Sequence, residues 1–325
     1  MDGLDVGNGV MDPRMHKGLR RLIFFSQLLF WGWIVLPLVA GAEDGLAARY
    51  PGDVGLASDP AVLFYDGFES GDLSAWDEDQ AGGDTTRVAV VEGKDAVLFG
   101  RYACRMTATR GKNDGGGLIK WLPSGQDHLH ARFYVKFAED AGYVHHFVHI
   151  NGEARRWGSF GKAGLQPKGD DFFTTGIEPW FDWGKNPPPG RWNFYTYWPD
   201  MKPAPDGKYW GNSFHPEGGV IPRGEWICME VRIDLNTPGQ ADGVQTLWQD
   251  GKQIGRFTGF RWRTTETLKA NVFWLMSYVT ERAFGHTDQH AEQHGVKANT
   301  RSHTVWFDSV VVATDYIGPV IKVGS

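Results

Sequence analysis

The sequence has few cysteines, no excess of positive charge and no pattern typical of a long amphipathic helix. Its two cysteines allow at most one disulfide; strand parity directs Cys104 towards the core and Cys228 away from it, so their pairing stays open. A formal net charge of −6 excludes a broadly basic surface, and we expect no nucleic acid partner. Without helical patterns, the framework must come from strands.

The abundant residues are those of a globular protein rich in strands. Hydrophobic residues make up 41% of the chain and charged residues 22%, which is enough apolar material for a sizeable core. There are 15 tryptophans. Aromatic side chains favour strands, and exposed ones also stack against flat apolar partners such as sugar rings.

The N-terminal segment has the three parts of an export signal. A basic stretch begins at Met15, an apolar run covers residues 22–40, and Ala40-Gly41-Ala42 has the form of a cleavage site. We predict a signal peptide over residues 1–42, with Met15 as a candidate true start, and a secreted or periplasmic protein without membrane association after cleavage. The apolar run is also close to the ~20 residues of a membrane span, so an uncleaved anchor is the alternative.

Short strand-like runs separated by Gly, Pro and Asp follow one another after residue 60. Residues 43–60, rich in Gly, Ala and Asp, are interpreted as a linker. The Asp250-Gly251 pair predicts a tight hairpin. Short antiparallel strands without helices predict an all-β domain over residues 61–320, with two antiparallel sheets stacked as a β-sandwich or jelly roll. The predicted strands are 61–68, 102–109, 129–137, 143–150, 172–177, 192–198, 226–235, 244–249, 253–257, 271–279 and 304–313.

One predicted strand carries an unusual number of titratable side chains. Read with a two-residue period, residues 127–137 (DHLHARFYVKF) have an apolar face and an opposite face formed by His128, His130, Arg132, Tyr134 and Lys136. We interpret this polar face as the floor of a substrate groove. A structural network of paired or solvated charges is the alternative.

Three segments resemble the concanavalin A-like jelly rolls of polysaccharide lyases, especially polysaccharide lyase family 14 and its glucuronan lyase-like fungal relatives. They are VLFYDGFESGDLSAW near the start, GEWICMEVRIDLNTPGQADGVQTLWQDGKQIG in the middle and HTVWFDSVVVATDYIGP near the end. The resemblance spans nearly the whole mature domain. It implies a concanavalin A-like β-sandwich and a lyase that cleaves a uronic acid-containing polysaccharide by β-elimination.

The resemblance also implies site residues wherever the family's motif survives. The family's Tyr-x-Tyr pair, which takes part in proton transfer, corresponds to Tyr195 and Tyr197 in NFYTYWPD. His149 stands where the family has a lysine. A strand that normally bears Ser-x-Arg here offers Thr174 or Thr175 and Glu178, so an acid replaces the arginine.

β-Elimination from a uronic acid polymer sets three chemical tasks. The substrate carboxylate must be neutralised, a base must remove the adjacent proton, and an acid must protonate the leaving oxygen. We predict that Arg132, His130 and His149 supply the cationic surroundings and that Tyr195 or Tyr197 acts as base or acid. Further substrate contacts are expected from His145, Lys136, Tyr134, Glu178 and Trp180.

Two other clusters suggest metal ions. In the resembling folds an acidic residue from each terminal region helps to hold a structural calcium ion, which here points to Glu69 and Asp308, with a carbonyl oxygen of Gly100. The segment GHTDQHAEQH spaces three histidines four residues apart, which on a helix would align them for a transition metal. Because this segment bridges two predicted strands, we interpret it as a solvated loop.

Two further functions stay open beside the lyase. The altered lysine and Ser-x-Arg positions favour a non-catalytic carbohydrate-binding protein, and the carboxylates Glu178 and Asp182 would be needed for a glycoside hydrolase on the same fold. New ultraviolet absorbance in the product identifies a lyase, reducing ends without that absorbance identify a hydrolase, and retention on a glycan without product indicates binding alone. In each case we expect a polysaccharide partner and a monomeric protein.

Overall fold

Strands make up most of the regular structure in residues 45–321, the part of the chain that the computed structural model describes. Two α-helices, α1 (Leu46–Arg49) and α2 (Glu281–His294), and three 3-10 turns (Pro51–Asp53, Leu56–Ser58 and Asp182–Gly184) accompany them. The strands are β1 (Val62–Asp66), β2 (Glu78–Asp79), β3 (Val88–Glu92), β4 (Tyr102–Thr109), β5 (Gly115–Gln126), β6 (His128–Phe137), β7 (Val148–Glu153), β8 (Phe172–Trp180), β9 (Arg191–Tyr197), β10 (Asn212–Phe214), β11 (Trp226–Asp234), β12 (Gly243–Gln249), β13 (Lys252–Phe260), β14 (Ala270–Tyr278) and β15 (Ser302–Ala313). The predicted signal peptide lies outside the described residues.

The strands form two antiparallel sheets that pack face to face. Sheet A has the order β13-β12-β11-β6-β15-β4-β3, and β1 pairs with the last part of β15. Sheet B has the order β10-β9-β8-β7-β14-β5-β2. The predicted all-β class and the predicted sandwich of two antiparallel sheets are confirmed.

The period of apolar residues determines which face of each sheet is buried. Leu129 and Phe133 of β6 enter the common core from sheet A, and Trp192 and Phe194 of β9 enter it from sheet B. Since successive side chains of a strand point to opposite faces, the residues between them lie on the outer face of their own sheet. The polar residues of β6 and those of β9 are therefore on opposite sides of the sandwich.

Both ends of the described chain cover the outer face of sheet A. Leu46 and Leu56 pack with Ile317 in a second apolar cluster, and the N–H of Leu46 donates to the carbonyl of Tyr316 at 2.9 Å. The linker prediction is therefore wrong for residues 45–60, which form α1 and two 3-10 turns. These few apolar residues are buried by a segment far away in sequence, so no local period reveals them.

Helix α2 shows that the loop interpretation of GHTDQHAEQH is wrong. The hydroxyl of Thr280 caps the helix by accepting from the N–H of Ala283, and the helix ends at Gly295, whose φ of 64° is left-handed. His286 stacks on a phenylalanine while His290 and His294 lie together, with ring centroids 4.4 Å apart. The three imidazoles do not converge on one point.

Three further expectations from the sequence concern a turn, the cysteines and a membrane span. Asp250 and Gly251 have φ values of 51° and 78°, as the predicted tight hairpin between β12 and β13 requires. Cys104 and Cys228 are both buried and free, so there is no disulfide between them. Among residues 45–321, no helix has the length and apolar character needed to cross a bilayer.

Candidate active site on the outer face of sheet B

The outer face of sheet B carries a cleft of about 260 Å³ lined by aromatic and titratable side chains. Its lining includes His146, His149, Tyr195, Tyr197 and Trp274, which come from the neighbouring strands β7, β9 and β14 and from the segment before β7. A larger cavity of about 760 Å³ lies elsewhere, along the end of β6 and the chain termini, and none of these five residues lines it. The cleft on sheet B thus brings together three of the five predicted catalytic residues, His149, Tyr195 and Tyr197.

Strand register explains how these side chains meet. Gly176 of β8 pairs with His149 on one side and with Tyr195 on the other. A Cβ atom on Gly176 would lie 2.2 Å from Cδ2 of His149, so only glycine leaves room for the imidazole to lie over β8. Glu178 lies two residues further along the same face of β8, beside His149 and the two tyrosines.

A hydrogen-bonded pair of His146 and Glu178 lies beside the tyrosines. Nδ1 of His146 is 2.9 Å from Oε2 of Glu178, and the ring centroid of His146 is 5.5 Å from that of Tyr195. Burial raises the pKa of Glu178, and the neighbouring His146 partly opposes this rise. The carboxyl group at the position where the resembling family has an arginine is therefore held beside the cleft by a histidine that lines it.

His149 lies deeper in the same group and has no hydrogen-bond partner for Nε2, which is buried. Burial lowers the pKa of His149 to about 3, so the imidazole is neutral at physiological pH. The prediction that His149 replaces the family's lysine as a cation therefore does not hold for this side chain by itself.

The two tyrosines form one continuous surface in the cleft. Their hydroxyl oxygens are 3.5 Å apart, and their ring centroids are separated by 5.6 Å. Burial raises the pKa of Tyr195, with the neighbouring Tyr197 adding to the rise. Tyr195 therefore keeps its proton at neutral pH and is suited to act as a proton donor.

The loop between β7 and β8 forms one wall of the cleft. Lys162 of this loop is the one cationic side chain among the described residues that line the cleft. Phe160, next to it in the wall, is 71% exposed, which is unusual for a large apolar side chain. An exposed aromatic ring beside a cation suits a partner with flat sugar rings and negative charge.

Arg132 and His130 do not lie in this cleft, and the prediction that they line the tyrosine groove is wrong. Arg132 is fully buried on the outer face of sheet A, where its guanidinium pairs with Asp53 and donates to Oγ of Ser309 at 2.8 Å. His130 is also buried there, with Nδ1 2.8 Å from Oε1 of Glu230. Because β6 belongs to the opposite sheet, its polar face cannot reach the cleft that the tyrosines line.

Tyr134 and Lys136 follow the same pattern, and their predicted role in this groove is wrong too. The hydroxyl of Tyr134 accepts from the N–H of Val320 at 2.9 Å, which ties the C-terminal segment to β6. Nζ of Lys136 donates to the carbonyl of Asp95 and lies 5.3 Å from the ring centroid of Trp306. The titratable face of β6 anchors the chain ends and loops.

Residues His145 and Trp180 lie at the margin of the site. The ring of His145 stacks on those of His146 and Tyr278, with centroid separations of 4.2 and 5.4 Å. Trp180 stacks on His215 at 4.0 Å, on the same face of β8 as Glu178. Of the two threonines, Thr174 lines the cleft, whereas the hydroxyl of Thr175 is buried and 2.8 Å from Oε1 of Gln245.

His146 is a residue of the cleft that the sequence predictions do not include, although the sequence holds a signal for it. The strand predicted over residues 143–150 begins only at Val148, as β7, and His146 forms an isolated bridge with Tyr278. Phe147 and Val148 are consecutive and both belong to the core, which breaks the two-residue period. With this break, His146 and His149 point to the same side.

The predicted calcium ligands lie at a different place, beside the loop that precedes β4. Oδ2 of Asp308 accepts from the N–H groups of Leu98 and Phe99 at 2.9 and 3.0 Å, whereas Oδ1 is buried without a hydrogen-bond partner. Burial raises the pKa of Asp308 to about 6, and Glu69 adds to the rise. A Cβ atom on Gly100 would lie 2.4 Å from Oε1 of Glu69, so the loop passes directly over that carboxylate. Two carboxylates with an unpartnered oxygen fit a cation that prefers oxygen ligands.

Solved structures show the same fold. No family model matches the sequence, and no curated protein matches it either. The PL-14 alginate lyase from Aplysia kurodai superposes with a TM-score of 0.55 at 14% identity, covering 78% of this chain and 97% of that one. A variant of alginate lyase Aly36B in complex with an alginate tetrasaccharide gives a TM-score of 0.53 at 15% identity, covering 80% and 96%. The endo-β-1,4-glucuronan lyase from the fungus Trichoderma reesei gives 0.50 at 18% identity, covering 78% and 95%.

These structures match the family that the sequence resembles. At such low identity they establish the shared jelly-roll fold, and the chemistry must be argued from the residues of the cleft.

Proposed function

We propose that this protein is an exported polysaccharide lyase that cleaves a uronic acid polymer by β-elimination in the cleft on sheet B. The observation that supports this most directly is the Tyr195–Tyr197 pair beside His146, His149 and Glu178, on a fold shared with lyases of alginate and glucuronan. The geometry supplies hydroxyl groups in hydrogen-bonding reach of one another and an open aromatic wall.

The two tyrosines divide the proton transfers between them. Tyr197, in its phenolate form, takes the proton next to the carboxylate, and the electron pair left on that carbon forms the new double bond as the bond to the glycosidic oxygen breaks. Tyr195, which is half-buried and protonated, donates its proton to that oxygen. The proton now on Tyr197 then passes to Tyr195, whose hydroxyl oxygen is 3.5 Å away, and this restores the starting state. The product carries a carbon–carbon double bond conjugated to a carboxylate, which absorbs ultraviolet light.

The substrate carboxylate must be stabilised while negative charge develops beside it. Lys162 lies in the wall of the cleft and supplies one positive charge near the entrance. The floor of the cleft, where the family has lysine and arginine, consists of His149 and the His146–Glu178 pair. How the substrate carboxylate is neutralised therefore depends on His149 and the His146–Glu178 pair.

The test is a product analysis with purified mature protein, calcium, zinc and a panel of alginate, glucuronan and neutral polysaccharides. We expect new ultraviolet absorbance with at least one uronic acid polymer and with none of the neutral ones. Reducing ends without absorbance would replace the proposal by a hydrolase, and retention without any product would replace it by a binding protein.

Export and calcium binding belong to the same proposal. Sequencing the N-terminus of protein made in its host should give a chain that begins near Glu43, and a mature chain that retains Trp33 would contradict cleavage. Glu69 and Asp308, with a carbonyl oxygen of Gly100, would hold the ion, which stabilises the folded domain and takes no part in the elimination.

A further inference from the structure

The floor of the cleft contains two histidines and a carboxylate whose donor atoms come close together. One ligand atom from each of His146, His149 and Glu178 lies within 4.8 Å of the other two. We propose that this group binds a divalent transition metal of the zinc class and that the metal, not a basic side chain, faces the substrate's carboxylate. The second part of this proposal rests on the proposed lyase function.

The donor set is the first argument for a metal. Two imidazoles and one carboxylate are the ligands of many three-residue zinc sites, which leave a fourth position for water or substrate. Nδ1 of His146 is 2.9 Å from Oε2 of Glu178, whereas ligand atoms of tetrahedral zinc are about 3.3 Å apart, given metal–ligand bonds of about 2.0–2.1 Å. The donor atom of His149 lies within 4.8 Å of both, so shifts of up to about 1.5 Å would bring the three donors to the separation that zinc requires.

The buried Nε2 atom of His149 is the second, independent argument. It has no hydrogen-bond partner, and leaving a buried polar atom unpaired costs about 1–3 kcal/mol. Gly176 leaves the space that the imidazole fills, because any Cβ there would be 2.5 Å from this same nitrogen. The strand therefore makes room for a buried ring nitrogen that has a free lone pair or proton to offer a ligand.

Charge is the third argument. Lys162 in the wall is the one lysine or arginine among the described residues that line the cleft, and the groups beside the tyrosines are histidines and a glutamate. A divalent ion bound by two neutral imidazoles and one carboxylate leaves a net charge of about +1, directed at the fourth coordination position. The ion would supply the positive charge that a uronate carboxylate requires.

The experiment uses full-length mature protein freed of metal with a chelator and then returned to calcium-containing buffer. Cobalt(II) is the probe, because it substitutes for zinc and absorbs visible light when bound with low coordination number. We expect one cobalt ion per chain with an intense visible band, and zinc should displace it. His149→Gln, His146→Gln and Glu178→Gln should each weaken binding by at least about tenfold. The matched control is His294→Gln, which removes an exposed histidine from the other histidine pair, on α2.

Each outcome decides the proposal. No stoichiometric band, or a band that survives all three substitutions or disappears in His294→Gln, overturns the metal site. Melting temperatures of the variants separate loss of ligand from loss of fold.

A lysine at position 149 tests the role of the metal. Its ammonium group carries its own charge, so His149→Lys should lose cobalt binding yet cleave uronic acid polymers without added metal, whereas the wild-type protein should need zinc. Equal wild-type activity with and without zinc would overturn the role in catalysis. Cobalt binding without any lyase activity would leave the metal site standing and refute the proposed function.

Discussion

The buried pair of Arg132 and Asp53 should hold the N-terminal segment on sheet A, so replacing Arg132 should cost stability and leave catalysis intact. Nη1 of Arg132 is 3.2 Å from Oδ1 of Asp53 and 3.2 Å from the carbonyl of Gly318, and both charged side chains are almost completely buried. In Arg132→Met, Asp53 keeps only the hydroxyl of Ser309, 2.8 Å away, as a side-chain partner.

The expected cost follows from the charge that is left behind. Removing one partner of a buried ion pair typically costs about 3–5 kcal/mol, because the other charge stays buried without compensation. For a domain of this size, 1 kcal/mol lowers the melting temperature by roughly 2–4 °C, so we expect a decrease of about 10 °C. The matched control is Arg232→Met. Its guanidinium is 40% exposed and pairs with Asp234, so its loss should cost less than about 1 kcal/mol.

The assay is thermal unfolding by circular dichroism, combined with lyase kinetics well below the melting temperature. Asp53→Asn in the Arg132→Met background should recover part of the lost stability, because it removes the unpaired charge. If Arg132→Met melts like the wild type but loses kcat, the structural assignment is wrong and Arg132 acts on substrate after all.

Three further predictions follow from other parts of the structure. Burial lowers the pKa of His303 to about 4, so the unfolded chain binds a proton between about pH 4 and 6.5 that the folded protein does not. The contribution of His303 should therefore be complete above about pH 6.5 and fall by up to about 3 kcal/mol towards pH 4. Urea titrations of the wild type and of His303→Leu at several pH values measure this contribution as the difference between the two profiles. In protein already freed of transition metal, added calcium should raise the melting temperature of the wild type and leave that of Asp308→Asn unchanged, with an equal response of both arguing against calcium at that carboxylate. Gly176→Ala should displace His149 and reduce kcat/KM by about 100-fold, whereas Gly219→Ala, whose Cβ would meet nothing within 4 Å, should retain wild-type kinetics.

The fold could be predicted because most of its strands have a local sequence pattern, either alternating apolar residues or a turn signal at their ends. Alternating apolar residues identify β6 and β9, and the Asp250-Gly251 turn identifies the β12–β13 hairpin. Strand β5 begins with three glycines and contains Pro123, so its sequence looks like a loop. Helix α2 was missed because its composition is mainly polar and its few buried residues contact the rest of the domain only through one side.

The candidate site could be predicted only in part, since it depends on which sheet each strand joins. The two tyrosines were found through the intact Tyr-x-Tyr motif, and His149 was found by its place in a segment where the resembling family has a lysine. The polar face of β6 has the same local pattern as a groove strand, but β6 lies in the sheet that the chain termini cover. Arg132 therefore meets Asp53, 79 residues away, and no local signal shows this pairing.

The central claim is tested most directly by the rate at which ultraviolet absorbance appears when the protein acts on alginate or glucuronan. Tyr197→Phe removes one oxygen from the cleft and little packing, and Tyr102→Phe, in sheet A, is the matched control. Because positioned acid–base groups contribute about 10²–10⁴-fold, we expect kcat to fall at least about 100-fold in Tyr197→Phe, with little change in substrate affinity, and to stay at the wild-type value in Tyr102→Phe. Equal rates for the wild type and Tyr197→Phe, or no unsaturated product from any uronic acid polymer with calcium and zinc supplied, would contradict the assignment of this cleft as a lyase active site.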